Sequence, residues 1–440
     1  MHNGRRHTDC RARHRYSRFR TRSSTAFSTT SPTVLSLPDE VLDRIFDNIA
    51  DSPREPLFPY LCICRRLSRL VHAQLYRRIF DFTLSDDTLY FLIDTFENEP
   101  SLFRLIEQVS LQSYAVRTPE FRASYLRSLL RKACGLRVLE LNGYSARLVP
   151  EILLLLPNPP LAAVDFMLSF RDNDDDDLRS LWHGLQRFRS LPRGDIHGPN
   201  EWAPRGGPIR PYDSASPTTV PLESVRTLRV NTYFWTRAFG PAASVNDLLP
   251  NLVNLTLDIS YTPDAFNLER FLSTLPLTLK RLSFLFNSCS SHVPDPKSAF
   301  KLATLPPQLE RLELQANLFS TEDLLAYLPT SQLQTIRFDW GCLVTDKVVD
   351  ALVNPAIRPR TLRRVTLDHI EDFTSDCIED AIGWATEALG EGESVDYDAL
   401  RAEKGPSWPE GGTEDGLRSA LVVAAASDLQ VEGSALQRIG

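Results

Sequence analysis

The chain has 440 residues, 42% of them hydrophobic, enough for a sizeable core in one elongated domain or two compact ones. Its net charge of -7 comes from 49 basic and 56 acidic residues, which excludes a uniform field for gathering nucleic acid or anionic lipid. The longest apolar runs, Ile152 to Leu156 and Ala420 to Ala426, fall far short of the ~20 residues that cross a bilayer, so no membrane partner is expected.

Charge is concentrated at the two ends. Between Met1 and Ser36 stand eight arginines and one acid, Asp9. Residues 1–34 read as a disordered basic arm, with a nuclear-import signal, an RNA contact and no specific role as its alternatives. A transit peptide fits less well, because large apolar residues are almost missing before Phe19. From Glu391 to Gly440 ten acids face four basic residues, with seven of the nineteen glycines, the composition of an acidic, solvated, disordered tail. The seven cysteines are scattered and show neither a disulfide framework nor zinc spacing around Cys62 and Cys64. A reducing compartment follows, cytoplasmic and/or nuclear, with no metal and no cofactor.

The first element is a helix from Ser36 to about Ile49. Ser36 serves as N-cap, Pro38 lies in the first turn and Asp39 stands three residues after the cap. Val41, Leu42, Ile45, Phe46 and Ile49 recur at three- and four-residue steps and make one apolar stripe. A break with three prolines follows, Pro53, Pro56 and Pro59. A second amphipathic stretch then carries Leu61, Cys64, Leu67, Val71 and Leu75. A unit of ~45 residues has a marginal core, so the span from residue 35 to 80 is expected to fold against another chain or against its own downstream domain.

Leu37-Pro38-Asp39-Glu40-Val41-Leu42-Asp43-Arg44-Ile45-Phe46, then Cys64-Arg65-Arg66-Leu67-Ser68-Arg69-Leu70, then Leu75-Tyr76, resembles the F-box motif over about a tenth of the chain. The resemblance implies docking on the Skp-type adaptor of a cullin-RING ubiquitin ligase, with contacts from Leu37, Pro38, Val41, Leu42 and Ile45. Cys64 and Leu67 read as core. The proline-rich linker and Tyr76, where the family more often has tryptophan, depart from its pattern. The plainer reading is a helical cap on the domain that follows.

From Ile106 onward a phrase recurs with large apolar residues at positions one, four and six. Ile106-Val109-Leu111, Leu136-Leu139-Leu141 and Leu161-Val164-Phe166 lead; Val225-Leu228-Val230, Leu252-Leu255-Leu257 and Leu279-Leu282-Phe284 follow. Leu309-Leu312-Leu314, Leu333-Ile336-Phe338 and Leu362-Val365-Leu367 complete nine phrases, and eight intervals separate them: 30, 25, 64, 27, 27, 30, 24 and 29 residues. This is the leucine-rich repeat period, and the interval of 64 leaves room for a degenerate unit near Leu185. The expected fold class is α/β: an N-terminal helical F-box, then a leucine-rich repeat solenoid with a curved parallel sheet over residues 81–390. An irregular loop is expected over about 172–222, where Asp174-Asp175-Asp176-Asp177 precedes the degenerate unit and a Pro/Gly-rich stretch runs from Pro192 to Pro221. Asn287 and Asn317 fall where the repeat consensus places asparagine.

Strand alternation turns the third, fifth and seventh positions of each phrase to one exposed face. On the later repeats this places Arg281, Arg311, Glu313, Arg337, Asp339 and Arg364 together as candidate target-binding residues, suited to a charged or phosphorylated segment. Opposite charges that merely neutralise one another across strands are the alternative. Trp340 and Tyr233-Phe234-Trp235 read as core or as interface anchors. No phosphate loop, nucleophile elbow or zinc-protease histidine pair occurs in the sequence, so a non-enzymatic adaptor is expected. Its partners are a Skp-type adaptor, through it a cullin-RING ligase, and an unknown target protein. Nucleic acid is not the expected partner. A repeat scaffold without a ligase link, and RNA association through the basic arm, are the other readings.

Overall fold

The structure is a computed structural model. It describes residues 37–50, 63–80, 86–112, 127–157, 161–168, 175–188, 191–197, 221–240, 243–259, 266–285, 301–315, 319–339, 342, 344–368 and 414–438. The basic arm, Ser36, Asp174, Asn287, Asn317 and Trp340 lie outside the described residues. The chain divides into two units, Met1–His72 and Ala73–Gly440.

In the first unit, helix α1 spans Asp39–Ala50. Asp39 and Glu40 in its first turn complement the positive end of the helix dipole, and the Pro38 carbonyl accepts from the amides of Val41 and Leu42, each at 3.1 Å. Helix α2, Arg65–Arg77, begins where the Cys64 Sγ accepts from the Leu67 amide at 3.5 Å, a thiol in the role usually filled by a hydroxyl. Leu42, Phe46, Leu67 and Val71 are buried. Arg66 ties the two helix starts together: its Nε and Nη2 donate to the Asp39 carboxylate at 2.6 Å, and Nη2 also donates to the Leu37 carbonyl at 2.6 Å.

Among the described residues, the second unit is built on one sheet of twelve strands, all parallel and laid side by side in chain order. They are β1 (Arg78–Phe80), β2 (Gln108–Gln112), β3 (Val138–Tyr144), β4 (Ala163–Leu168), β5 (Arg193–His197), β6 (Thr227–Asn231), β7 (Asn254–Asp258), β8 (Arg281–Leu285), β9 (Arg311–Gln315), β10 (Thr335–Asp339), β11 (Arg364–Leu367) and β12 (Gln430–Glu432). The pairing register stacks the fourth position of every phrase on the next: Leu228 on Leu255, Leu255 on Leu282, Leu282 on Leu312, Leu312 on Ile336. The sixth positions stack likewise, and both columns are buried in one continuous core. No single repeat can bury its own apolar row, so stacking is what makes the unit stable.

The return segments carry short helices, among them Leu148–Leu155, Thr232–Phe239, Leu268–Ser273, Thr321–Tyr327 and Asp346–Val353. Asn231, Asn267, Ser320 and Thr345 each cap one of them, their side-chain oxygens accepting a backbone N–H of the first turn. Phe234 and Trp235 are buried, and Trp235 packs edge-on against Phe271 at 5.1 Å between centroids. Their role is in the core, not as interface anchors.

Three expectations are corrected. The sheet starts at Arg78, inside the segment expected to end the helical motif at residue 80. The segment 172–222 is less irregular than a loop: helix Asp175–Leu185 and strand β5 make up the degenerate unit expected near Leu185. The aspartates there favour a helix N-terminus, Leu178, Leu181, Trp182 and Leu185 supply its buried stripe, and Leu191-Gly194-Ile196 is a repeat phrase with glycine at its fourth position. Finally, residues 414–438 of the expected disordered tail form helix Glu414–Ala425 and strand β12, which pairs with β11. Leu417, Ala420 and Ala424 are buried on one side of that helix, and this apolar burial outweighs the polar composition around it.

Candidate functional site

On α1 the five candidate adaptor contacts separate. Pro38 is exposed and Leu37 half-buried, while Val41 and Ile45 remain 41% and 37% exposed. Leu42 is 0% exposed, which corrects its assignment as a docking residue. Consecutive helical residues are turned about 100° apart, so Leu42 shares the buried side with Phe46, and Val41 and Ile45 share the open side.

The exposed face of the sheet holds rows of polar side chains, each row one repeat position. Row three brings Arg281 directly opposite Arg311, and Thr335 separates Arg311 from Arg364. Arg281 and Arg311 are both exposed. Arg364 leans instead toward the last strand, donating to Gln430 at 3.2 Å and standing 3.8 Å from the Glu432 carboxylate. Glu313, in row five, is exposed and accepts from the Ser283 hydroxyl at 3.0 Å.

Arg337 is gripped from the side of row seven. Its Nη2 lies 2.8 Å from Asp339 and 3.1 Å from Asp368, and the Asp339 residue is only 7% exposed. Beside this pair Leu285, Glu313, Leu314, Gln315, Arg337 and Asp339 line a shallow cavity of about 140 Å³. Of the six candidate target residues, Glu313, Arg337 and Asp339 thus meet at the cavity; Arg281 and Arg311 form a neighbouring pair; Arg364 stands apart.

Of the acidic row farther along the face, Glu140 and Asp165 stand at the fifth position of their phrases in the sequence, and only Asp195 escaped sequence reasoning. Glu140, Asp165 and Asp195 follow one another on β3, β4 and β5 in direct register. Burial first, then the charges of Asp195 and Glu140, push the Asp165 carboxyl up to about 6, against the pull of Arg229 and Arg193. Asp195 holds Arg193 at 2.7 Å, and Glu140 accepts from Gln108 at 2.6 Å. Only the phrase Leu191-Gly194-Ile196 signalled this strand, and glycine in place of leucine concealed it.

Two buried groups have electrostatics without an opening. Desolvation drives the Cys342 thiol far up, and its Sγ donates to the Leu314 carbonyl at 3.1 Å. The Tyr327 hydroxyl is pushed up to about 12 by burial. Among the described residues no three histidine, cysteine or carboxylate side chains gather as a metal site, and no helix is long and apolar enough to cross a membrane.

No protein-family profile matches the sequence, and no curated protein matches it. Among solved structures, the Rad7 and Elc1 complex of yeast is similar over 75% of this chain and 88% of that one, at 12% identity and a TM-score of 0.24. The TLR13–ssRNA13 complex is similar over 64% of this chain and 45% of that one, at 12% identity and a TM-score of 0.28. Likeness this distant assigns no function. The leucine-rich repeat architecture rests on the strand register and the repeat period themselves.

Proposed function

We propose that the chain is a non-enzymatic substrate-recognition adaptor of a Skp-cullin-F-box ubiquitin ligase. Its α1 helix docks on the Skp-type adaptor, and the exposed face of its sheet holds a target protein. The observation that carries this reading is the division of labour on α1. Leu42 and Phe46 are buried, whereas Pro38, Val41 and Ile45 leave an apolar strip open to a partner. Leu37-Pro38 opens that strip as it does in the F-box motif.

The adaptor's contribution is proximity. Holding a target beside a loaded conjugating enzyme raises the effective concentration of the acceptor lysine without any catalytic group in this chain. The parallel sheet suits the task because it presents side chains on a fixed lattice of ~4.8 Å between strands and ~3.3 Å along them. Residues Arg281, Arg311, Glu313, Arg337 and Asp339 are the target-binding set on this reading.

Co-purification of the full chain with a Skp-type adaptor tests it, beside a Pro38→Ala, Ile45→Asp double variant. Retention of the adaptor by the wild type and its loss from the variant is the expected result. A folded wild-type chain that retains no adaptor returns residues 35–80 to the role of a cap and leaves a repeat scaffold without a ligase link.

A further inference from the structure

Arg281 and Arg311 are neighbours across β8 and β9, about 4.8 Å apart at the backbone. Like charges placed opposite each other on one face destabilise a sheet. Other arginines of the face have carboxylates beside them: Arg193 has Asp195, Arg337 has Asp339 and Asp368, and Arg364 has Glu432. Among the described residues, Arg281 and Arg311 have no hydrogen bond or ion pair, and both are exposed. Glu313, the nearest acid on the face, is engaged by Ser283, and Glu310 is held by Lys280 at 2.7 Å.

The second feature lies on the same strand. Leu285 is the fourth residue after Arg281, about 13 Å along β8, and with Leu314 it forms the apolar side of the 140 Å³ cavity, whose other walls are Glu313, Gln315, Arg337 and Asp339. The face therefore offers a doubly cationic point and a small notch with one apolar side, separated by the length of four extended residues.

We infer that this face takes an extended, phosphorylated segment of a protein target, its phosphate between Arg281 and Arg311 and an apolar side chain four residues away in the Leu285 cavity. Two guanidiniums suit a phosphomonoester, which carries nearly two charges and three acceptor oxygens. A nucleic-acid strand fits poorly, because its further phosphates would run into the acids of row seven, Asp258, Asp339 and Asp368. The inference rests on the target-holding half of the adaptor reading and names the chemistry of what is held.

The test uses the full chain and a labelled nine-residue peptide pool, Leu-x-x-x-pSer-x-x-x-Leu, which offers the apolar residue in either chain direction. Control pools carry unphosphorylated serine, or aspartate in place of both leucines. Fluorescence anisotropy should show binding of the phosphorylated leucine pool, weakened about tenfold by Arg281→Ala and again by Arg311→Ala. Leu285→Asp should erase the preference for the leucine pool over the aspartate pool while phosphate dependence remains. Both arginines are exposed, so an unchanged thermal melt verifies that the variants are folded.

Equal binding of phosphorylated and unphosphorylated pools, or wild-type affinity in both arginine variants, overturns the inference. So does tighter binding of labelled oligouridylate than of the peptide pool. Adaptor co-purification is read separately through α1: if it succeeds while the pools fail, the ligase reading survives and the phosphate site falls. The opposite pattern removes the ligase and keeps the site.

Discussion

Asp165 and Asp195 stand side by side across the β4 and β5 ladder, and Glu140 stands on the other side of Asp165 on β3. The folded chain holds the Asp165 proton up to about 6, whereas an unfolded aspartate releases it near 3.8. Between those values the folded state binds more protons, so stability falls as pH rises from about 4 to 6. Asp165→Asn should therefore raise the melting temperature at pH 7 and leave it unchanged at about pH 3, where the Asp165 carboxyl is neutral in the folded and the unfolded chain alike. Full conversion of the shift would give about 3 kcal/mol; the half-open carboxylate is screened, so roughly 1 kcal/mol is expected. Thermal melts of both proteins at the two pH values check this, and a lower melting temperature at pH 7 would contradict it.

Leu312 tests the stacking itself. It is fully buried, with Leu282 on one neighbouring strand and Ile336 on the other. Leu312→Asp places a carboxylate where no water or partner can reach it, a cost of about 4 kcal/mol or more. Because each repeat leans on its neighbours, β8, β9 and β10 should lose amide protection together in hydrogen exchange. Loss confined to β9 would show that the repeats do not share one core.

The nine apolar phrases were legible in the sequence because a four-then-two step leaves the same pattern in every repeat, and each became a strand in register. The exposed rows followed from the same alternation, which is why Arg281, Arg311, Glu313, Arg337 and Asp339 fall on one face. What escaped is what breaks the phrase. Gly194 replaces an apolar residue on β5, and Gly433 takes the sixth position on the last repeat, after the long interval 369–413. Leu42 could not be separated from Val41 by periodicity, because both belong to one broad stripe and only the packed helix shows which part is covered.

Gly433 directly follows β12 and adopts φ 127°, a region that other residues rarely enter. A Cβ at this position would also run into the backbone of Leu367 on β11. Gly433→Ala should loosen the last strand by about 1–3 kcal/mol, through strain and through the clash. Limited proteolysis is the measurement: the variant should release a fragment containing residues 414–438 at protease concentrations that leave the wild type intact. Equal resistance would mean that β12 tolerates the side chain by shifting along β11.

Val41 and Leu42 give the sharpest separation of fold from docking, because adjacent residues on one helix face opposite demands. Leu42→Asp buries a charge in a unit that has little stability to spare, so it should lower helicity and melting temperature, and adaptor binding would fail as a consequence. Val41→Asp changes an exposed side chain and should leave the melt within about 0.5 kcal/mol of wild type. On the adaptor reading it should nevertheless weaken co-purification at least about tenfold, since an apolar anchor in an interface core is replaced by an unpaired charge. Helicity, melting temperature and adaptor retention measured on the same two variants decide the matter. If Val41→Asp retains the adaptor at wild-type level, the open strip of α1 is not the docking surface.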